Sequence, residues 1–305
     1  MLHSKLATIV FTVFLCVIFA SAAAAEAPLG EIWNGGCSLL FDTDSVTVDG
    51  EARFSLDGEY FKTAQLHYVQ DGYRSFYGLK LLTPKADGSE METGWTIIAD
   101  EEGYYYVMEA YHPGTYRVGS DNCRNTLLRR SVELDSLTDL GGIIVRQLTF
   151  PEDALTVSET DSGKTVRIVL DAEQVPNLAS SALNVCAVFL SDRWFGYGHD
   201  RERNEEEFIS FDNYVTVTEA LTDGTVRWTV RDVDIAFTLD SQGRLTGVKG
   251  NLGLLSVFVD GTIREVDVQV DLAITDYNAS YVKRFNAGDY NVTLASDYDV
   301  VLPEE

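Results

Sequence analysis

Residues 265–274, EVDVQVDLAI, alternate without a break: Val266, Val268, Val270, Leu272 and Ile274 interleave with Glu265, Asp267, Gln269 and Asp271. A period of two held over this length belongs to a strand with one apolar and one wet face. The same pattern runs near the start of the chain. Val46, Val48, Ala52, Phe54 and Leu56 alternate with Thr47, Asp49, Glu51, Arg53 and Ser55, and Ala64, Leu66 and Tyr68 resume it. The scaffold expected is one-sided antiparallel sheet. Its dry face needs a cover, and the stretch between the two blocks is where helices can supply one.

In the first block, Asp57-Gly58, Asp71-Gly72 and Glu102-Gly103 separate apolar runs as hairpin turns do. Tyr73 to Leu82, Trp95 to Ala99 and Tyr104 to Tyr111 read as further strands, with a polar connection from Thr83 to Thr93 and a stop at His112-Pro113-Gly114. The middle changes period. Leu137, Leu140, Ile144 and Leu148 recur on one helical face after a Ser136/Asp139 capping box. A hairpin follows, with Leu155 to Val157 and Val166 to Leu170 flanking Asp161-Ser-Gly163. A more apolar helix is expected over 172–195, where Leu178, Ala182, Leu183, Cys186, Phe189 and Leu190 form a broad stripe.

The second sheet block occupies the chain from Val215 onward. Val226, Trp228 and Val230 have the opposite parity to Val233, Ile235, Phe237 and Leu239, so one extra residue is needed near Arg231-Asp232, which is a β-bulge. Leu252 to Val259, Thr262 to Asp276 and Asn291 to Leu302 complete the block. The connections are short throughout. A single domain over 26–305 is the expected organisation.

Residues 6–25 are uncharged, follow Lys5 and end in small residues, with Ala23 and Ala25 just before Glu26. This is the layout of a secretory signal peptide over 1–25, so the mature chain is expected to begin near Glu26 and to lack any other membrane span. An uncleaved anchor is the alternative, since about 20 apolar residues can cross a bilayer. Loss of Lys5 moves the formal net charge from −25 to −26. Such acidity excludes nucleic acid and anionic membrane surfaces as natural partners. Apolar content of 45% and 15 each of Tyr and Phe exclude disorder.

Three cysteines remain after export, of which Cys37 and Cys123 bracket the first block and can pair, while Cys186 sits in an apolar run as a buried small hydrophobe. His67, His112 and His199 have no catalytic or metal spacing. His199 opens the loop HDRERNEEE over 199–207, but Arg201 and Arg203 interrupt its carboxylates and the spacing of a calcium loop is missing. Nucleophile-elbow, zincin, CxxC, P-loop and dinucleotide patterns are all absent. The chain therefore reads as non-enzymatic, without metal or cofactor. Two sequons, Asn278-Ala-Ser280 and Asn291-Val-Thr293, matter only in a eukaryotic secretory pathway.

The stretches VTVDGEARFSLDGEYFKTAQLHYVQDGYRSFYGLKLLTP (46–84), GWTIIADEEGYYYVMEAYHPGTYRVGSDN (94–122) and NTLLRRSVELDSLTDL (125–140) resemble a group of uncharacterised secreted proteins of Gram-positive bacteria. The order sheet, helices, sheet is similar to the lipoprotein-carrier superfamily, which includes the outer-membrane lipoprotein carrier and related lipid-binding lipoproteins. That resemblance implies an α+β fold: a strongly curved antiparallel sheet, an incomplete barrel, with two or three helices on its concave side and acyl chains bound between them. It brings no ligand-binding motif with it. The inward-facing positions Phe54, Leu56, Leu66, Tyr77, Leu79, Phe237, Val268, Val270 and Leu272 are the expected ligand-lining set. A lipid or other apolar small molecule is the expected partner. A protein-interaction or sensing module of the cell envelope, with a filled core, is the competing expectation.

Overall fold

The computed structural model describes residues 28–85, 88–107, 114–119, 139, 142, 151, 153–177, 179–181, 184, 225–258 and 260–294. They form a mostly antiparallel sheet with few helices. Helix α1 (Pro28–Phe41) precedes six strands, β1 (Ser45–Leu56), β2 (Glu59–Asp71), β3 (Arg74–Pro84), β4 (Glu90–Asp100), β5 (Gly103–Val107) and β6 (Thr115–Gly119). Then come β7 (Leu155–Thr160), β8 (Gly163–Leu170), β9 (Thr225–Asp240), β10 (Leu245–Phe258), β11 (Ile263–Thr275), the short α2 (Ala287–Tyr290) and β12 (Thr293–Leu294). Hydrogen bonding orders the strands β12-β6-β5-β4-β3-β2-β1-β11-β10-β9-β8-β7, so the sheet is open, with β12 and β7 at its edges. The β6–β12 ladder is parallel.

The residues divide into two compact units, one built from residues up to 42, 52–61 and 128–273, the other from 43–51, 62–127 and 274 onward. Strands β1 and β2 contribute to both.

In the first unit the alternation of the sequence becomes a packed face. Phe237, Val248 and Leu272 lie in one cross-strand row, Ile235, Gly250 and Val270 in the next, and Val233, Leu252 and Val268 in a third. Val166, Ile168 and Leu170 extend these rows onto β8. All these side chains but the half-buried Leu272 and the glycine are buried. The other face carries ion pairs, Arg167 with Asp234 at 2.7 Å and Lys249 with Asp271 at 2.5 Å. Exposed pairs of this kind contribute about 0–1 kcal/mol each, so the apolar face holds this unit together.

The bulge falls where the parity change requires it. The β9–β10 register passes from Asp232–Gly253 to Val230–Leu254 and leaves Arg231 unmatched. Arg231 then reaches Glu265 and Asp267 on β11, both at 2.6 Å. It crosses above Gly253, where a Cβ would lie 2.3 Å from Asp232 Oδ2 and 2.8 Å from Arg231 Nη2.

Helix α1 is absent from the sequence reading. Leu29, Ile32, Trp33, Leu39, Leu40 and Phe41 are all buried. At Gly35 the helix approaches the β9–β10 turn so closely that a Cβ would meet Gly243 O at 3.0 Å and Leu239 Cδ2 at 3.3 Å. A Lys164–Glu31 ion pair ties the helix to β8. The helix expected from Ser136 onward, or from as early as Leu127, is described only at residues 139 and 142, both helical, with Gly142 near Trp33 of α1. Of the helix expected over 172–195, residues 172–177, 179–181 and 184 are described: 172–175 form a turn and bend and 176 is not helical, so the helix does not start at 172, and 177, 179–181 and 184 are helical.

Those residues settle where this helix begins its docking. Strand β8 ends opposite Val233, so the stretch of β9 before it lacks β8 as a neighbour. The Trp228 N–H donates to Asn184 Oδ1 at 2.8 Å, and Asn184 Nδ2 donates to the Trp228 carbonyl at 2.7 Å. The Val230 N–H donates to Ser180 Oγ at 3.0 Å. Buried backbone groups need such partners, and here helical side chains stand in for a strand.

The second unit departs from a one-sided sheet. Residues 96–100 of β4 are buried on both faces. The chain after β11 runs along the hairpin ends: Asn278 N–H donates to Ser45 O at 2.9 Å, Ser280 Oγ to Gln70 O at 2.7 Å, and Phe285 N–H to Asp100 Oδ2 at 3.3 Å. Phe285 stacks on Tyr105 at 4.1 Å and packs with Phe76, Tyr116 and Tyr290 against Ile98, Val107 and Val292. The face expected to be wet is therefore roofed here by the chain's own later segment.

Other boundaries also move. Strands β3 and β4 reach into the expected polar connection at 83–93, β6 was not expected, and β10 starts seven residues earlier than read. The strand read over 291–302 starts only at Thr293, because Asn291 adopts a left-handed conformation (φ 52°) and ends α2; its positions 295–302 lie outside the described residues. The signal segment, Cys123, Cys186, His112 and the 199–207 loop lie outside the described residues. Among the described helices none is long and apolar enough to cross a membrane.

Candidate functional site

Alternation along β2 puts Lys62, Ala64, Leu66 and Tyr68 on one side, and the β2–β3 register sets Leu66 opposite Leu79 and Tyr68 opposite Tyr77. Tyr77 in turn lies opposite Ile97 on β4. This is the apolar face of the second unit. Tyr68, Tyr77 and Ile97 are buried, whereas Leu66 and Leu79 are only half-buried. An apolar pair left partly open therefore sits beside a closed aromatic row.

The tyrosine end is chemically satisfied. The Tyr68 hydroxyl donates to Gln70 Oε1, and Gln70 Nε2 donates to the Gly72 carbonyl at 3.1 Å.

The opposite end is different. Lys62 is 1% exposed, and burial pushes its ammonium down from the usual 10.5 to about 8. The last registered pair is Thr63–Leu82, and the same register continued by one step would set Lys62 opposite Thr83. Side chains so placed stand about 5 Å apart at Cβ. Thr83 Oγ1 is buried without a hydrogen-bond partner among the described residues. Leaving a buried hydroxyl unmet costs about 1–3 kcal/mol. A cation and an unmet hydroxyl thus close one end of an apolar strip about 20 Å long, from the Lys62 row to the Tyr68 row.

The nine sequence-derived lining positions separate into two groups. Leu66, Tyr77 and Leu79 come together on the strip just described. Phe54, Leu56, Phe237, Val268, Val270 and Leu272 belong to the first unit, where Phe237, Val268 and Val270 are core and Phe54, Leu56 and Leu272 are half-buried. Gly250 lies in the row of Val270, and its φ of 157° and the 2.0 Å a Cβ would make with Asp234 O exclude a side chain there.

Lys62 and Thr83 stand outside the sequence-derived set, whose inner face on β2 starts at Ala64 and which assigns Thr83 to Thr93 to a polar connection. The parity of Lys62 with Leu66 and Tyr68 was the available signal. His67 lies on the opposite face, exposed, with Nδ1 2.6 Å from Asp49 Oδ1. Among the described residues no group of three or more His, Cys, Asp or Glu side chains is placed to hold a metal ion.

No protein-family model and no curated protein matches the sequence. Among solved structures, the chain is similar to a LolA superfamily protein from Nitrosomonas europaea at 11% identity, covering 83% of this chain and 95% of that one, with a TM-score of 0.20. It is also similar to an acyl-ACP thioesterase from Bacteroides thetaiotaomicron at 11% identity, covering 76% and 77% of the two chains, with a TM-score of 0.12. Overlaps of this extent do not establish a shared fold.

Proposed function

We propose that this is a non-enzymatic extracytoplasmic protein that holds an acyl chain or similar apolar ligand on a sheet face. The observation that carries the reading is the half-open stretch of Ala64, Leu66 and Leu79 on an apolar strip whose Lys62, Leu81, Tyr68 and Tyr77 are buried. In a core filled by its own side chains such central positions close, because interiors pack to near-crystalline density. The export signal read over 1–25 and the acidic composition accord with work outside the cytoplasm.

The full chain, stripped of lipid, is expected to take up a fluorescent fatty acid, and Leu79→Trp to lower that uptake several-fold with little change in thermal midpoint. An envelope docking module with a filled core gives the reverse. Overpacking then costs about 1–3 kcal/mol of stability and no uptake occurs in either protein, which would end the carrier reading.

A further inference from the structure

We infer that strand β7 is a docking edge, which takes an extended basic segment of another protein as an added antiparallel strand. Strand β7 belongs to the first unit, and nothing in this role depends on the ligand proposed for the second. Of the two sheet edges, β12 has two residues, whereas β7 has six, paired with β8 without a register shift and with five of the six exposed. The ladder fixes which main-chain groups face outward. The Val169 N–H donates to Ala154 O at 2.8 Å, and bonded and non-bonded pairs alternate along an antiparallel ladder. Thr156, Ser158 and Thr160 therefore bond inward to β8, and the N–H and C=O groups of Leu155, Val157 and Glu159 point out of the sheet. Among the described residues no strand meets them. Such a row is a template for pairing, and edges are normally blunted by proline, lysine or a bulge. Strand β7, LTVSET, has none of these.

The side chains state the chemistry of the partner. Leu155, Val157 and Glu159 share a face with Ile168, Val166 and Lys164, their partners on β8. Val166 and Ile168 are fully buried, whereas Val157 is 39% exposed and Leu155 half-buried, so an added strand with apolar residues at alternate positions completes the burial. The charge of this edge is negative. Lys164, directly opposite Glu159, pairs with Glu31 of α1, and Glu159 forms no ion pair among the described residues. From Pro151 to Gly163 the sequence holds Glu152, Asp153, Glu159 and Asp161 and no lysine or arginine. A second copy of a chain of formal net charge −25 would set like charges together here, whereas a lysine or arginine opposite Glu159 neutralises the edge.

The probe is the labelled, end-capped peptide GKTVRIVL, the sequence of β8 (163–170), titrated with the full chain and followed by fluorescence anisotropy. Laid antiparallel along the outer side of β7 in the register β8 keeps on the inner side, it sets Ile168, Val166 and Lys164 opposite Leu155, Val157 and Glu159. Saturable binding is expected. N-methylation of the peptide at Val166 and Ile168 should abolish it, because those N–H groups face β7, and N-methylation at Thr165 and Arg167 should leave affinity within about twofold. Lys164→Glu in the peptide should weaken binding about threefold or more, the scale of a cross-strand charge pair. In the protein, Val157→Pro should abolish binding with little change in thermal midpoint, since that N–H makes no bond to β8. Absence of binding overturns the proposal. Self-association of the full chain that Val157→Pro disperses assigns the edge to a second copy and overturns it as well. If Val157→Pro does not fold, the two methylated peptides decide on the wild-type chain: equal binding by both places the peptide away from this edge and sinks the inference.

Discussion

A lysine buried on an apolar face burdens the fold in a way that pH can expose. Unfolded, Lys62 holds its proton up to about 10.5; folded, burial lowers that to about 8. Between these values the unfolded chain binds more protons, so this group makes stability rise with pH across the window. Below about 8 both states are charged and the folded state bears the whole cost of desolvation. The expected outcome is that Lys62→Met is more stable than the wild type at pH 7 by on the order of 2 kcal/mol, with the gap narrowing as pH rises toward 10.5. Urea unfolding of both proteins at several pH values in this range checks it. A gap that does not change with pH would mean the ammonium is hydrated in the native state.

At the scale of single elements, the positions least tolerant of change are those where backbone meets backbone. A Cβ at Gly163 would lie 2.0 Å from Leu239 O, and one at Gly250 equally close to Asp234 O. Neither obstacle is a side chain that can swing away. Each Gly→Ala change is expected to cost more than about 2 kcal/mol, whereas Gly30→Ala, with nothing within 4 Å, should be neutral or slightly stabilising. Thermal melts of the three variants separate these outcomes. Asn184→Ala tests a different contact. It strips the Trp228 N–H and carbonyl of their side-chain partners, at about 1–3 kcal/mol. Asn184→Asp should recover only part, since a carboxylate can accept from the N–H but repels the carbonyl.

These elements differ in how plainly the chain announces them. Strands β1, β9 and β11 declare themselves because one face is buried, so burial writes a period of two into the residues. The bulge at Arg231 was readable as a break in that parity. Helix α1 was not, because Gly35 and Gly36 interrupt its apolar run, and Gly35 is explained by a β9–β10 turn more than 200 residues away. Strand β6, TYRVG, is too short to show a period. The roof over Tyr105 was hidden for another reason: Phe285 and Tyr290 belong to a loop and a four-residue helix, and packing against a distant strand leaves no local pattern. Lys62 and Thr83 were concealed by their polarity, which marks surface in most strands and marks a candidate site here.

At the scale of the whole molecule, the strand order makes the beginning of the chain depend on its end. Strand β1 lies between β2, its sequence neighbour, and β11, which is made some 200 residues later. The junction is pinned by Asp57 N–H to Glu265 O at 2.8 Å and by Asn278 N–H to Ser45 O at 2.9 Å. Contacts of such separation are slow to form, because closing a long loop costs entropy before any apolar burial offsets it. A chain ending at Thr262 would keep every residue of β1 to β10 and lose β11 and the segment that roofs Tyr105. It would leave the β10 row of Val248, Leu252 and Leu254 without its β11 partners Leu272, Val268 and Val266. Burying a side chain of this kind contributes about 1.5–3 kcal/mol, so losing the strand removes an amount comparable to the 5–15 kcal/mol by which domains are usually stable. The truncated chain is therefore expected to show no cooperative thermal transition and to be cleaved rapidly by limited proteolysis. Supplying residues 263–294 as a separate peptide should restore protection if the missing strand alone is responsible. A truncated chain that melts cooperatively without the peptide would show that β1 to β10 hold together without β11.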